Sequence, residues 1–479
     1  MSNHPAQAGT SPNKDGISRP GGGHRPLAAP RPDRSTPSSV GTFHPAPNAD
    51  GPHEGDAPLR FRVREAWERL CRSVRPQVPV LALYGALKLT GFCVFMFLLD
   101  STGDFRRKHP RFGGGAHAWD VLATWDGWWY QQIAAHGYHP ALVPVPGATG
   151  LITLEGNSAA FFPLYPALMR LVSSVTGLGL FGAGLTVSII ASFVAALGIH
   201  AVTSRVSGTR AGLAAAGLFA VWPGSGTEWS GYSESLYIAL AAWACHAVMR
   251  RNWLTAGLLT CLAGLTRPTA TALIAALALA VLLELRRHHR EVRRWGCPPA
   301  PDGRRRRSPV LRPLAAVAIA PLGLAGHLGW VGHRMGDYGG YFALQKGAWA
   351  HTFDYGRQTF DVFTSLPVGH FDYLFAYPYE DLVGAATVLL ALLALPLLLR
   401  LRPPPVLIAY TVLTMALVLG SQQIFGNVSR YLLPAFPLLI PCATAMRRLG
   451  TPVLCTVLGV AALASGSYAG YVLFELGVP

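Results

Sequence analysis

The chain has 479 residues, 51% of them hydrophobic and only 13% charged, with a mean hydropathy of +0.31. That balance excludes an ordinary soluble globular protein and predicts an all-α polytopic membrane protein. A net charge of +16 could suit nucleic acid, but the excess sits in short clusters between apolar runs, as the positive-inside rule expects, so no nucleic-acid partner is predicted.

Residues 1–58 are rich in Pro, Gly, Ser and His and have few aliphatic clusters. They cannot bury enough surface to offset the entropy of ordering, and read as a disordered cytoplasmic tail. A basic juxtamembrane stretch follows over 59–77, with Arg60, Arg62, Arg64, Arg69, Arg72 and Arg75. It either lies on the anionic inner leaflet or simply sets the orientation of the first span. The transmembrane domain then covers 78–479, opening with an apolar run over 79–99 that is long enough to cross hydrocarbon.

With basic residues before that span, the loop over about 100–177 is expected outside. Inside it, Leu122, Trp125, Trp129 and Ile133 fall on one stripe if the segment is a helix, an apolar face suited to the membrane interface, with Asp126 beside it. Residues 161–175 are apolar but broken by two prolines and Arg170, which predicts an interfacial or re-entrant helix. Further spans follow at about 178–203, 211–222 and 233–249. The run between Arg251 and Arg286 is interrupted by Thr266-Arg267-Pro268-Thr269. One crossing would set two basic clusters on opposite sides, so a pair of helices turning at Arg267 is predicted.

A basic cytoplasmic loop is expected over about 286–312, and a span over about 314–332 leads to a second outer loop at about 333–380, which holds His333, Asp337, His351, Asp354 and His370. Spans at about 382–399, 404–419, 431–446 and 453–474 complete a count of about eleven. The seven cysteines fall in spans or on the expected inner side, so neither a disulfide framework nor a metal-ligand spacing is implied. No H-E-x-x-H spacing exists, and no metal or other cofactor is expected.

A few charged residues stand out at the outer boundary. Asp126 is either a catalytic carboxylate or a solvated aspartate in an aromatic anchor belt. An arginine at membrane depth costs about 2.5–3.5 kcal/mol on insertion scales, so Arg267 either serves a ligand or snorkels to the headgroups. Arg430 lies outside against the positive-inside trend, as a ligand contact or an end cap; Arg170 is a weaker candidate. Glu234 begins a span, where it could order a substrate, pair with an arginine or only complement the helix dipole. His136 and His246 read as structural.

Four elements carry a resemblance: Trp125-Asp126-Gly127-Trp128-Trp129-Tyr130 through Ile133-Ala134 to Gly137-Tyr138, with Phe161-Phe162-Pro163-Leu164-Tyr165-Pro166; Tyr232-Ser233-Glu234-Ser235-Leu236-Tyr237; Thr266-Arg267-Pro268; and Gln423 through Ser429-Arg430-Tyr431-Leu432-Leu433-Pro434. In order and spacing these resemble the PIG-V mannosyltransferase family of the GT-C glycosyltransferases, over roughly 78–475. The resemblance implies a GT-C-like bundle with interfacial helices in the first outer loop. It also implies inverting transfer of mannose from a polyprenyl-phosphate-mannose donor at the extracytoplasmic face of the cell membrane, with Asp126 as acid/base.

A hydroxyl attacking an anomeric carbon needs a base within hydrogen-bond reach, and the leaving lipid phosphate needs cations. Arg267 and Arg430 are the candidates for the phosphate. Trp125, Trp129, Tyr165, Glu234 and Tyr431 are the candidate substrate contacts. The basic tail, the inner loop and an insertion between Tyr138 and Phe161 depart from the family pattern. Its eukaryotic acceptor, a glycosylphosphatidylinositol precursor, is not carried over to a composition that looks bacterial and high-GC, so a lipid, glycan or protein acceptor stays open. Rival readings are a related enzyme for lipid-linked arabinose or glucose, and a transporter or flippase of lipid-linked saccharides. A transporter would carry charges deep within several spans, whereas here they cluster at span boundaries.

Overall fold

The computed structural model describes residues 75–146, 152–295, 310–373 and 376–479, all within one compact unit, Ala66–Pro479. The tail over 1–58, the juxtamembrane segment up to residue 74 and the arginines 304–307 lie outside the described residues. Apolar runs without water at hand must satisfy their backbone groups internally, so they form helices. In order these are α1 (Val78–Thr102), α2 (Asp126–His136), α3 (Leu164–Thr176), α4 (Leu180–Ser207), α5 (Thr209–Ala220), α6 (Glu234–Met249), α7 (Trp253–Gly264), α8 (Ala270–Trp295), α9 (Leu311–Ile319) and α10 (Leu322–Met335). Then come α11 (Gly340–Trp349), α12 (Arg357–Ser365), α13 (Pro378–Arg400), α14 (Pro405–Leu419), α15 (Val428–Tyr431), α16 (Leu439–Met446) and α17 (Thr451–Ser467), which runs on into a wider π turn, Tyr468–Leu476. Among the described residues there are two antiparallel strand pairs: β1 (Pro144–Pro146) with β2 (Ile152–Leu154) inside one loop, and β3 (Thr352–Phe353) with β4 (Ser421–Gln422), which joins two loops.

The protein is a multi-pass membrane protein. Among the described residues, five segments are long and apolar enough to cross a bilayer, namely α1, α4, α9 with α10, α13, and α17 with its π turn. The bent pair Phe425–Tyr431 and Phe436–Met446, angled at 79°, would make a sixth. Their lipid face is legible on α13, where Leu390 and Leu393 are 63% and 65% exposed at helical spacing while Val388 and Ala391 are buried.

Helices stand at all eleven expected positions, but length and composition alone support five or six crossings. At 1.5 Å per residue, the 12 residues of α5 or of α7 reach about 18 Å, short of a hydrocarbon layer of about 30 Å. Their ends meet broken backbone, the largely buried Pro223–Trp229 turn after α5 and the partly exposed break over 265–269 after α7; non-helical chain is tolerated at membrane depth where it is buried in protein, as the first of these is.

The Pro223–Trp229 turn is held by a buried ionic contact. Glu228 pairs with Lys88 of α1 at 3.4 Å and accepts the Tyr84 hydroxyl at 2.5 Å, while Lys88 also donates to the Ser225 carbonyl at 2.5 Å. Unpaired, either charge would be expensive at this depth. Small residues of α4, α5 and α6, among them Ala195, Ala214, Ala215, Ala241 and Ala242, are fully buried in the same core and let these helices approach closely. Every cysteine among the described residues is a free thiol.

Candidate active site

Asp126 owes its position to a strained turn. A 3-10 turn at Ala118–Ala123 is followed by Trp125, whose φ of 54° is left-handed in a residue with a bulky side chain; such conformations cost about 1–3 kcal/mol and persist only when the surroundings hold them. Here the Trp125 N–H donates to the Arg111 carbonyl at 3.0 Å, and its ring packs on Phe112 at 5.2 Å. The helix therefore begins at Asp126, not at Leu122, and the predicted stripe of Leu122, Trp125, Trp129 and Ile133 does not form. The buried face of α2 is instead Gly127, Tyr130, Ile133 and Ala134.

The same turn docks on the start of α6. Gly231 N–H donates to the Leu122 carbonyl at 2.8 Å, and a Cβ added to Gly127 would lie 3.2 Å from the Gly231 carbonyl oxygen. Glycine on both sides leaves room for this approach. Beside it, the hydroxyls of Tyr130 and Ser233 are hydrogen-bonded at 2.8 Å.

Four charged residues far apart in sequence meet here. The Arg430 guanidinium bridges two carboxylates, with Nη2 to Asp126 Oδ2 and Nε to Glu234 Oε1. Arg267 Nη1 pairs with that same Glu234 oxygen. Arg430 and Glu234 are almost wholly buried, whereas the side chains of Asp126 and Arg267 are 27% and 16% exposed. The network thus has a buried half that holds it and an open half that offers one carboxylate and one guanidinium. Glu234 Oε2 is buried and accepts no hydrogen bond among the described residues, so the site keeps spare acceptor capacity. The Tyr232 and Tyr431 rings flank the Arg430 guanidinium at 4.6 and 5.6 Å, within cation–π range.

Arg430 is backed by the buried turn before α6. Trp222 Nε1 donates to the Ser429 carbonyl at 2.6 Å, and a Cβ on Gly224 would lie 2.6 Å from the Arg430 backbone nitrogen and Cα. Gly224→Ala must therefore displace the Arg430 backbone. Overpacking of this kind costs about 1–3 kcal/mol, so the variant is expected to melt earlier in detergent and to lose activity. Gly459→Ala, which meets nothing within 4 Å, should do neither.

Asp126, Glu234, Arg267 and Arg430, singled out from sequence, are thus brought together. Of the aromatic candidates, Trp129 stacks on Phe161 at 5.6 Å and meets Trp349 edge-on at 6.2 Å, forming a wall next to Asp126. Tyr165 is different. It is completely buried, and its hydroxyl is used by the Gly184 carbonyl at 2.9 Å and Ser188 Oγ at 2.8 Å. It has no surface to offer a substrate, and acts through Ser188, which donates to the Tyr232 carbonyl at 2.9 Å. His136 and Arg170 are exposed and stand outside the ion network, as does His246, which packs on Trp243 at 5.4 Å. Two contributors were not singled out for these roles from sequence. Tyr232 lay within the quoted Tyr232–Tyr237 motif and could have been found there; Gly224 carried no local signal.

No protein-family model matches the chain, and no curated protein matches it. Among solved structures, the chain is similar to the oligosaccharyltransferase of Archaeoglobus fulgidus crystallised with zinc and sulfate, at 14% identity and a TM-score of 0.40 over 81% of this chain and 53% of that one. ArnT from Cupriavidus metallidurans in the apo state matches at 12% identity and a TM-score of 0.43, over 73% and 71%. The archaeal oligosaccharyltransferase AglB from Archaeoglobus fulgidus, in complex with an inhibitory peptide and a dolichol-phosphate, matches at 12% and 0.42, over 84% and 56%. The chain spans about half the length of the archaeal enzyme.

Proposed function

We propose that this chain is an integral-membrane glycosyltransferase of the GT-C type that moves mannose from a polyprenyl-phosphate-mannose donor to an acceptor hydroxyl, with inversion, at the extracytoplasmic face. The observation that carries the reading is the convergence of Asp126, Glu234, Arg267 and Arg430 from four separate segments onto one partly open network. A carboxylate beside two arginines is the equipment that displacement of a sugar phosphate requires. Asp126 takes the proton of the acceptor hydroxyl as its oxygen bonds to the anomeric carbon; the bond from that carbon to the phosphate oxygen breaks, and the arginines hold the charge left on the lipid phosphate.

The ion pairs also suggest how donor and base are coupled. An incoming phosphate competes with Asp126 for Arg430 Nη2, so donor binding frees the carboxylate while Glu234 keeps the guanidinium in place. Arg267, which pairs only with Glu234 among the described residues, has N–H groups left for the same phosphate. The mannosyl assignment within the GT-C type rests on the four sequence elements that resemble the PIG-V family; arabinosyl or glucosyl transfer would use the same network.

The test is transfer from radiolabelled polyprenyl-phosphate mannose, arabinose and glucose into the lipid and glycan fractions of membranes carrying the protein. Release of mannose from the first alone is the expected result, and no transfer from any of the three would discard the reading. In that assay Arg267→Ala is expected to raise the donor KM by about tenfold or more, the loss of one charge-assisted hydrogen bond worth about 1.5–3 kcal/mol. An unchanged donor KM and kcat would remove Arg267 from the site.

A further inference from the structure

The second large loop is anchored on two sides of the site. Helix α11 ends at Trp349, whose ring meets Trp129 at 6.2 Å and Phe161 at 5.9 Å. One residue beyond His351, the chain is already paired with the segment that leads to Arg430, Thr352 opposite Gln422 and Phe353 opposite Ser421. His351 lies between these two anchors, one on the Asp126 side of the site and one on the Arg430 side. Its backbone is fixed: Ala350 takes a left-handed φ of 54°, and the N–H groups of both Ala350 and His351 donate to the Gln345 carbonyl. A left-handed residue at a helix C-cap satisfies the last carbonyls of the helix and fixes the direction in which the chain leaves it, which holds His351 between the two anchors.

The half-buried His351 ring lies within the electrostatic reach of Asp126 from the first loop, Arg267 from the break after α7 and Arg430 from α15. On its own loop, the Asp354 carboxylate is committed to the backbone N–H groups of Gly356 and Gln358 at 3.0 and 2.8 Å. Burial pushes the imidazole down to about 4, against an upward pull from Asp126, with Arg430 and Arg267 adding to the fall. It is therefore a neutral hydrogen-bonding group at physiological pH, with one donor and one acceptor nitrogen.

We infer that His351 binds the sugar being transferred, hydrogen-bonding a ring hydroxyl of the glycosyl unit held between Asp126 and the two arginines, with Trp129 and Trp349 walling the same pocket. This rests on the transferase reading above, and makes His351 a specificity-determining residue. A neutral imidazole pairs with a hydroxyl of one stereochemistry and is left unpaired by the epimer, which is how a polar site rejects a near-isostere.

The experiment compares radiolabelled polyprenyl-phosphate mannose, glucose and arabinose as donors, in membranes carrying the wild type, His351→Ala or His351→Gln. The expected result is that His351→Ala lowers kcat/KM for the preferred sugar by about tenfold or more, brings the three donors closer together, and leaves the less favoured ones nearly unchanged. His351→Gln, which keeps a neutral donor and acceptor, should restore much of the preference. The wild-type ratio between donors should stay flat from about pH 5.5 to 8, since the ring is already neutral there. An equal loss for all three donors in His351→Ala would make the residue merely structural and overturn the proposal. So would a wild-type preference that titrates near the ordinary histidine value, a result that holds even if the alanine variant fails to fold. Transfer of no sugar by the wild type would sink the transferase reading itself, a distinct outcome.

Discussion

Asp126→Asn is expected to reduce sugar transfer by about 10²–10⁴-fold, the range that a positioned general base contributes, while leaving a folded, membrane-inserted protein. The change is isosteric, and the amide oxygen can still accept from Arg430. What it removes is the negative charge and the capacity to take a proton. The loss should fall on kcat, because the donor phosphate is held by arginines that the substitution spares. Donor KM should stay level or fall, since Arg430 no longer has a rival carboxylate to leave. Single-turnover transfer from radiolabelled polyprenyl-phosphate mannose, read beside thermal unfolding in detergent, separates chemistry from folding. Near-normal transfer with an intact melting curve would discard Asp126 as the base.

Those four charged side chains were conspicuous in the sequence for one physical reason. In a chain this apolar, a carboxylate or guanidinium at the edge of a span has to be paired, solvated or functional. The break at Thr266-Arg267-Pro268 was legible for the same reason, since one straight helix would have violated the charge pattern, and the chain does break there between Gly264 and Ala270. Their meeting was not legible. It depends on Gly127 lying against Gly231, on Gly224 leaving room for the Arg430 backbone, and on the left-handed turn at Trp125. A residue with φ of 54° looks in sequence like any other tryptophan at helical spacing, which is why the stripe from Leu122 to Ile133 was expected and does not exist. The number of crossings is legible only in part. A short re-entrant helix and a crossing have the same composition, and length and composition support five or six crossings among the described residues. Tyr165 shows the opposite limit, since its place in a motif could not reveal that its hydroxyl is spent inside the protein on Ser188 and Gly184.

Arg430 carries the second large effect, and its two carboxylate partners make that effect separable into charge and shape. Arg430→Gln leaves Glu234 almost wholly buried with Arg267 as its remaining partner, and Asp126 with none among the described residues. Breaking a buried ion pair by removing one member costs about 3–5 kcal/mol, so this variant is expected to melt far earlier in detergent and to transfer no sugar. Arg430→Lys restores the charge but not the fork, since an ammonium is a point charge that cannot bridge Asp126 and Glu234 in the plane a guanidinium offers. It should recover most of the stability and little of the transfer. The third arm is the double variant Arg430→Gln with Asp126→Asn. Removing the stranded charge together with its partner should recover stability relative to Arg430→Gln alone, a coupling of at least about 0.5 kcal/mol between neighbours. If the double variant melts no higher than the single one, Arg430 and Asp126 do not depend on each other. An arriving phosphate would then have no ion pair to displace.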